Sequence, residues 1–185
     1  MSDQDSAKGH VDGQAPDQPQ SPQPKSPASK SPGSKSPVSK SPLSRSPLSR
    51  SKARRFALQA LYQIQMSDCS VASAEQQFLQ DHDMKRVDVE YLHALLVGTY
   101  EYRKELVSLI TPTLDRAFES LDPIEKAILF IGSFELSHRI DVPYRVVINE
   151  GIELARQFGA AESHKYVNSI LDRLAHQQRP HERAR

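Results

Sequence analysis

Asp122-Pro123-Ile124-Glu125-Lys126-Ala127-Ile128-Leu129, followed shortly by Phe134-Glu135-Leu136, is the stretch that decides the fold class. Asp122 is a helix-capping residue and Pro123 suits a first helical turn. Glu125 stands at the third position, where a capping box would use it. Ile124, Ile128, Ile131 and Phe134 then recur at helical spacing. The pattern predicts a helix opening at Pro123 with an apolar stripe.

The same period continues on both sides. Pro143 opens a helix expected to stop near Gly159, a C-terminal cap. In it Val147, Leu154 and Phe158 face one way with Ile148, Ile152 and Ala155 beside them, a stripe wide enough to predict a central helix. A last helix follows Ser163 and buries Val167, Ile170, Leu171 and Leu174. Upstream, Ala53, Ala57, Ala60, Leu61 and Ile64 form one face of a helix from about Ser51, with Lys52, Arg55, Gln59 and Gln63 off it. A helix is expected over 74–80, and a long one from Asp88 into Leu109 with Leu92, Leu95, Leu96, Thr99 and Tyr102 inward, ending before Pro112. No stretch alternates as a strand would. The predicted class is all-α, with about seven helices.

The preceding residues read differently. Residues 1–50 hold most of the chain's 13 prolines and few large apolar side chains. From Ser21 to Arg50 the chain repeats in pentads: after a variant first unit, Ser21-Pro22-Gln23-Pro24-Lys25, they take the form Ser-Pro-x-Ser-Lys/Arg, as in Ser26-Pro27-Ala28-Ser29-Lys30. A proline in every unit removes a backbone donor and fixes φ. With little to bury, the segment cannot offset its ordering entropy. Residues 1–50 are therefore expected to be a disordered tail, 51–180 a helical domain and 181–185 a flexible end. About 135 residues suffice for one core.

The formal net charge of +1 hides an asymmetry: residues 21–50 carry six Lys or Arg and no acid, while 51–185 carry 17 basic and 19 acidic residues. Evenly spaced cations on an extended chain can track phosphates without reading bases, or simply keep a tether soluble. Cys69 is alone, which excludes an intramolecular disulfide and a cysteine-based zinc site and fits a reducing compartment. No run of about 18 apolar residues is present, so no membrane span is predicted, and no apolar signal segment opens the chain. A cytoplasmic protein is expected.

No catalytic signature stands out. The seven histidines include no helical ligand pair, and no metalloprotease motif, phosphate-cradling loop or nucleophile elbow occurs. Glu150 and Glu153 share one helix surface, whereas paired glycosidase carboxylates must flank a cleft. Neither metal nor cofactor is expected. What remains is a basic entry, Arg50, Lys52, Arg54 and Arg55, with Tyr62 two turns on. Arginine clamps phosphate and stacks on bases; the same residues would also solubilise an exposed helix start. Tyr166, off the line of Val167, Ile170 and Leu174 and flanked by Lys165 and Asn168, has the make-up of a base-stacking site, or of an aromatic closing the core rim. Asn149 and Glu135 read as structural groups, Glu135 as an acceptor for backbone or arginine.

Several motifs in order give a resemblance. Arg54-Arg55-x-Ala57-Leu58-Gln59-Ala60-Leu61-Tyr62, Val142-Pro143-Tyr144-Arg145-Val146-Val147-Ile148-Asn149-Glu150, Ile152-Glu153-Leu154-Ala155, Phe158-Gly159 and His164-Lys165-Tyr166-Val167-Asn168 resemble the NusB family over residues from about 50 to 180. The resemblance implies two small helical bundles packed together and no catalysis. It implies binding of single-stranded boxA-type RNA in nascent transcripts, including ribosomal RNA leaders. The implied partner is the ribosomal protein NusE, within an RNA polymerase antitermination complex. By position, it assigns RNA contacts to Arg50, Lys52, Arg54 and Arg55, with Tyr62 nearby, and to Lys165, Tyr166 and Asn168. It assigns partner contacts to Glu125 and Tyr144.

The chain departs from the family pattern at several points. Ser51 interrupts the basic run, and Arg55 stands where many members have Glu. Phe130 replaces a frequent Arg, Gly151 a usual Ala at a helix cost of about 1 kcal/mol, and Ser169 a usual Gly. Two rivals remain on sequence grounds. One is a protein–protein adaptor that binds no specific RNA. The other is a module like the N-terminal domain of ribosomal RNA cytosine methyltransferases. A homodimer that occludes its RNA face is a further possibility.

Overall fold

The computed structural model describes residues 46–183, so of the expected tail over 1–50 residues 1–45 lie outside them. Eight α-helices follow: α1 (Pro47–Ser67), α2 (Val71–Asp81), α3 (Val89–Glu101), α4 (Arg103–Ile110), α5 (Pro123–His138), α6 (Tyr144–Phe158), α7 (Ser163–Gln178) and the short α8 (Pro180–Arg183). Two short 3-10 turns, Thr111–Thr113 and Phe118–Ser120, bridge α4 to α5. Helices α1–α3 pack on one another, as do α4–α7, and the two groups join where α1 and α3 lie against α5. One apolar core runs through both.

The helix starts follow local chemistry, with one surprise. The last pentad, Ser46-Pro47-Leu48-Ser49-Arg50, forms the first turn of α1 instead of belonging to the tail. Ser46 is the N-cap, its side chain accepting from the Ser49 N–H, and Pro47 occupies the first turn. A proline there removes only a donor that would be unpaired in any case. A proline at every fifth position therefore does not keep this one unit out of a helix. Asp122 caps α5 by accepting from the Ile124 N–H. Glu125 does not close a capping box; it reaches out to accept from the Ser163 hydroxyl at 2.7 Å.

Helix α5 is the central element, not α6, because every residue from Ala127 to Leu136 is buried. Helix α6 buries one side, through Tyr144, Val147, Ile148, Gly151, Leu154 and Ala155, and its Asn149 is exposed rather than a core amide. The long helix expected over 88–109 is broken at Tyr102, which leaves helical geometry (φ −91°, ψ 10°) and stacks on His138 at 4.0 Å. A Cβ at Gly151 would stand 2.6 Å from Leu171 Cδ1, so its space is already used by the facing helix. Gly159 ends α6 in extended geometry; a Cβ there would meet the Ala155 carbonyl oxygen at 2.7 Å. Close approach, not a left-handed turn, is what calls for glycine.

Arg179 fastens the end of α5. Its guanidinium donates to the carbonyls of Leu136 (2.6 Å), Glu135 (3.0 Å) and Arg139 (3.0 Å). The Leu136 carbonyl is one of the C-terminal acceptors a helix leaves unpaired, while those of Glu135 and Arg139 also accept the Arg139 and Val142 N–H groups. No helix among the described residues is long and apolar enough to cross a membrane.

Candidate nucleic-acid interface

The basic entry divides into residues that face in and residues that face out. Along α1, Lys52, Arg55, Gln59 and Tyr62 fall on one helical face, and Tyr62 is 39% exposed. Arg55 lays its guanidinium 5.5 Å from the centre of the Phe158 ring and is otherwise open to solvent. Arg54 lies on the inner side, only 2% exposed. Its Nε donates to both Glu135 oxygens (3.0 Å each), and Nη2 donates to Glu135 Oε1 (2.8 Å) and to the Tyr91 hydroxyl (2.9 Å). Glu150 adds a charge contact at 3.5 Å. Arg54 thus departs from the phosphate-contact expectation: its donors are spent inside the fold, where phosphate does not reach. Glu135 is the structural acceptor its sequence context indicated. Burial pushes its carboxyl up, against the pull of the Arg54 charge.

Arg50 is likewise engaged. It pairs with Asp141 (3.1 Å) and Asp88 (3.7 Å), and lies 4.8 Å from the Tyr91 ring centre. Arg139 lies 4.7 Å from the same ring. This end of the molecule is a tied-down joint between α1, α3 and the α5–α6 turn.

Lys165 and Tyr166 lie at the other end of the bundle. With Arg116, Glu125, Ala160, Glu162 and Ser163 they line an open depression of about 480 Å³. Lys165 is exposed and paired with Glu162 at 2.6 Å. The Tyr166 hydroxyl donates to Asp115 at 2.9 Å, and Arg116 lies 4.6 Å from its ring centre. The Arg116 bonds and then the Tyr166 hydroxyl hold the Asp115 carboxyl down at about 2. Burial, and then its bond to Asp115, push the Tyr166 phenol up. Asn168 is exposed on α7 but does not line the depression. The α1 face approaches this rim through Phe158, on which Arg55 rests two residues before Ala160.

The two partner-contact expectations part company. Glu125 stands at the depression, beside the start of α7. Tyr144 is 9% exposed, and its N–H donates to Glu182, beyond the far end of α7. The 16 residues of α7 separate them by roughly 24 Å at the helical rise per residue. Tyr144 is part of the core rim and does not share a surface with Glu125.

A second groove, of about 720 Å³, lies beside α5. Ile64, Val71, Tyr100, Arg103, Phe118, Lys126 and Phe130 are among its walls. Phe130 packs edge-on to Phe118 (5.6 Å) and under Arg103 (6.0 Å), making an apolar floor beneath a cationic rim. Spacing gave no sign of this groove, nor of Asp115 and Arg116, which lie in an irregular segment with no periodicity to read.

A family model described as the NusB family matches residues 51–176. The chain belongs to the NusB family. The transcription antitermination protein NusB of Alcanivorax borkumensis is 58% identical over 128 residues, covering 69% of this chain and 85% of that protein. The protein of the same name from Marinobacter nauticus is 50% identical over 124 residues, covering 67% and 78%. Among solved structures, T. maritima NusB aligns with a TM-score of 0.65 at 26% identity, covering 74% of this chain and 97% of that one. A crystal structure of the antitermination factors NusB and NusE in complex with dsRNA aligns at 0.60 and 21% identity, covering 68% and 94%, a likeness of fold. The relatives' names specify transcription antitermination rather than a reaction. Family membership explains the helical domain and leaves the pentad array aside, since the match begins at residue 51.

Proposed function

We propose that this chain is a transcription antitermination factor, acting in the cytoplasm without catalysis. It binds single-stranded boxA-type RNA in nascent transcripts together with NusE, within an RNA polymerase complex. The observation that carries the reading is the open depression at the start of α7, where Lys165 and a half-buried Tyr166 stand in a chain of the NusB family. A planar aromatic beside an exposed cation suits an unstacked base and its phosphate. Lys52, Arg55 and Tyr62 extend that surface along α1, and Asn168 borders it. Arg50 and Arg54 serve it indirectly, by fixing α1 to α3 and α5.

NusE takes the surface on the α5 side, at Glu125 and along the groove floored by Phe130 and Phe118. The pentad array contributes sequence-independent, salt-sensitive attraction to RNA.

The test is fluorescence anisotropy of labelled boxA-type and scrambled RNA, with and without NusE, over a salt series. The full chain and a form beginning at Ser46 are compared. The expected result is a preference for boxA that NusE enhances and that survives removal of the tail. Equal binding of both RNAs, lost with the tail, would overturn the reading and leave the helical domain as a protein adaptor.

A further inference from the structure

We propose that Arg116 is the outer layer of a stacking platform built on Tyr166, and that one base of the bound RNA lies against its solvent-facing side. This rests on the RNA-binding reading above and names a residue that reading lacks. The Arg116 guanidinium carbon stands over the Tyr166 ring, 4.6 Å from its centre and well within cation–π reach. Asp115 pins both layers: Arg116 donates to it through Nε (2.9 Å) and Nη2 (3.3 Å), and the Tyr166 hydroxyl donates to the same carboxylate (2.9 Å). The guanidinium plane is therefore held in place before any ligand arrives, while the Arg116 side chain is 51% exposed.

Charge decides between a stacking role and a phosphate clamp. A carboxylate already bonded to Arg116 offsets its cation, so the group is a poor partner for phosphate. Its plane is untouched by that pairing, and bases stack on arginine planes as they do on aromatic rings. Lys165, which also lines the depression and is held by Glu162 through one exposed contact at 2.6 Å rather than a two-point bond, supplies the point charge for the backbone.

Arg116→Lys keeps the charge and removes the plane, so it separates the two roles. With labelled boxA-type RNA and NusE, Arg116→Lys and Arg116→Ala are expected to weaken binding alike, by about ten- to a hundredfold, the range of one lost base stack. The salt slope should stay unchanged. Asp115→Asn, which loosens the pin, should weaken binding by less. A single abasic nucleotide in the RNA should mimic Arg116→Ala and add nothing to it. Both positions lie on an exposed segment, and far-UV circular dichroism checks that the variants fold. Wild-type affinity in Arg116→Lys with a weaker, flatter salt response in Arg116→Ala would overturn the stack in favour of a phosphate clamp. Tighter binding by Arg116→Ala would overturn it by showing that the guanidinium covers the ring. No preference for boxA by the wild-type chain would bring down the RNA reading as well; a boxA preference unaffected by every Arg116 variant would bring down this inference alone.

Discussion

Two clusters in this molecule share the same three residue types, an arginine, a carboxylate and a tyrosine. Arg54, Glu135 and Tyr91 are buried between α1, α3 and α5, with the arginine bonded to both of the others. Arg116, Asp115 and Tyr166 lie at the rim of the bundle, with the carboxylate bonded to both of the others. In the first, desolvation makes every unmade bond costly, so the cluster holds the helices in register and offers nothing to a ligand. In the second, water screens the charges, the pairing contributes little to stability, and a planar face stays open. Burial, more than residue type, separates a structural joint from a binding surface.

The largest effect is expected from Arg54→Ala. It leaves Glu135 buried without its partner, and a loss of about 3–5 kcal/mol is expected in urea denaturation; a loss below about 1 kcal/mol, the range of exposed pairs, would erase the distinction. The packed side extends to Gly98, where a Cβ would lie 2.2 Å from the Phe134 ring. Gly98→Ala should cost about 1–3 kcal/mol by overpacking, read from the same transition. On the open side, Arg55→Ala should change stability by no more than about 0.5 kcal/mol yet weaken boxA-type RNA binding and flatten its salt dependence. An unchanged salt series would remove Arg55 from the interface.

The finest test concerns Asp115. Its folded pKa of about 2 lies below the ordinary 3.8. A carboxylate so depressed makes its favourable contribution above the ordinary value and loses it as pH falls through the depressed one. The Arg116 pairing should therefore be intact at neutral pH and break only near pH 2. NMR titration of the Asp115 carboxyl should show that midpoint, and Arg116→Ala should move it up toward the ordinary value.

The sequence determined by itself what depends on near neighbours along the chain. Helix starts at Pro123 and Ser163, the stop at Gly159, the apolar faces of α1 and α7 and the all-α class follow from caps and from a period of about 3.6 residues. The family motifs likewise single out Lys165 and Tyr166, which the fold sets in the depression at the start of α7. Tertiary structure decided what depends on partners far away in the chain. Neighbouring Arg54 and Arg55 look alike in sequence, but Glu135 lies 81 positions from Arg54, and only the fold shows that one arginine is consumed and the other free to act. Asp115 meets Tyr166 across 51 positions, and Glu125 meets Ser163 across 38. Tyr144 was assigned to a surface that Glu125 does not share, because α7 lies between them. Local propensity fixes where a helix begins and which side is apolar; it carries no information about which polar group from another helix will be desolvated beside it.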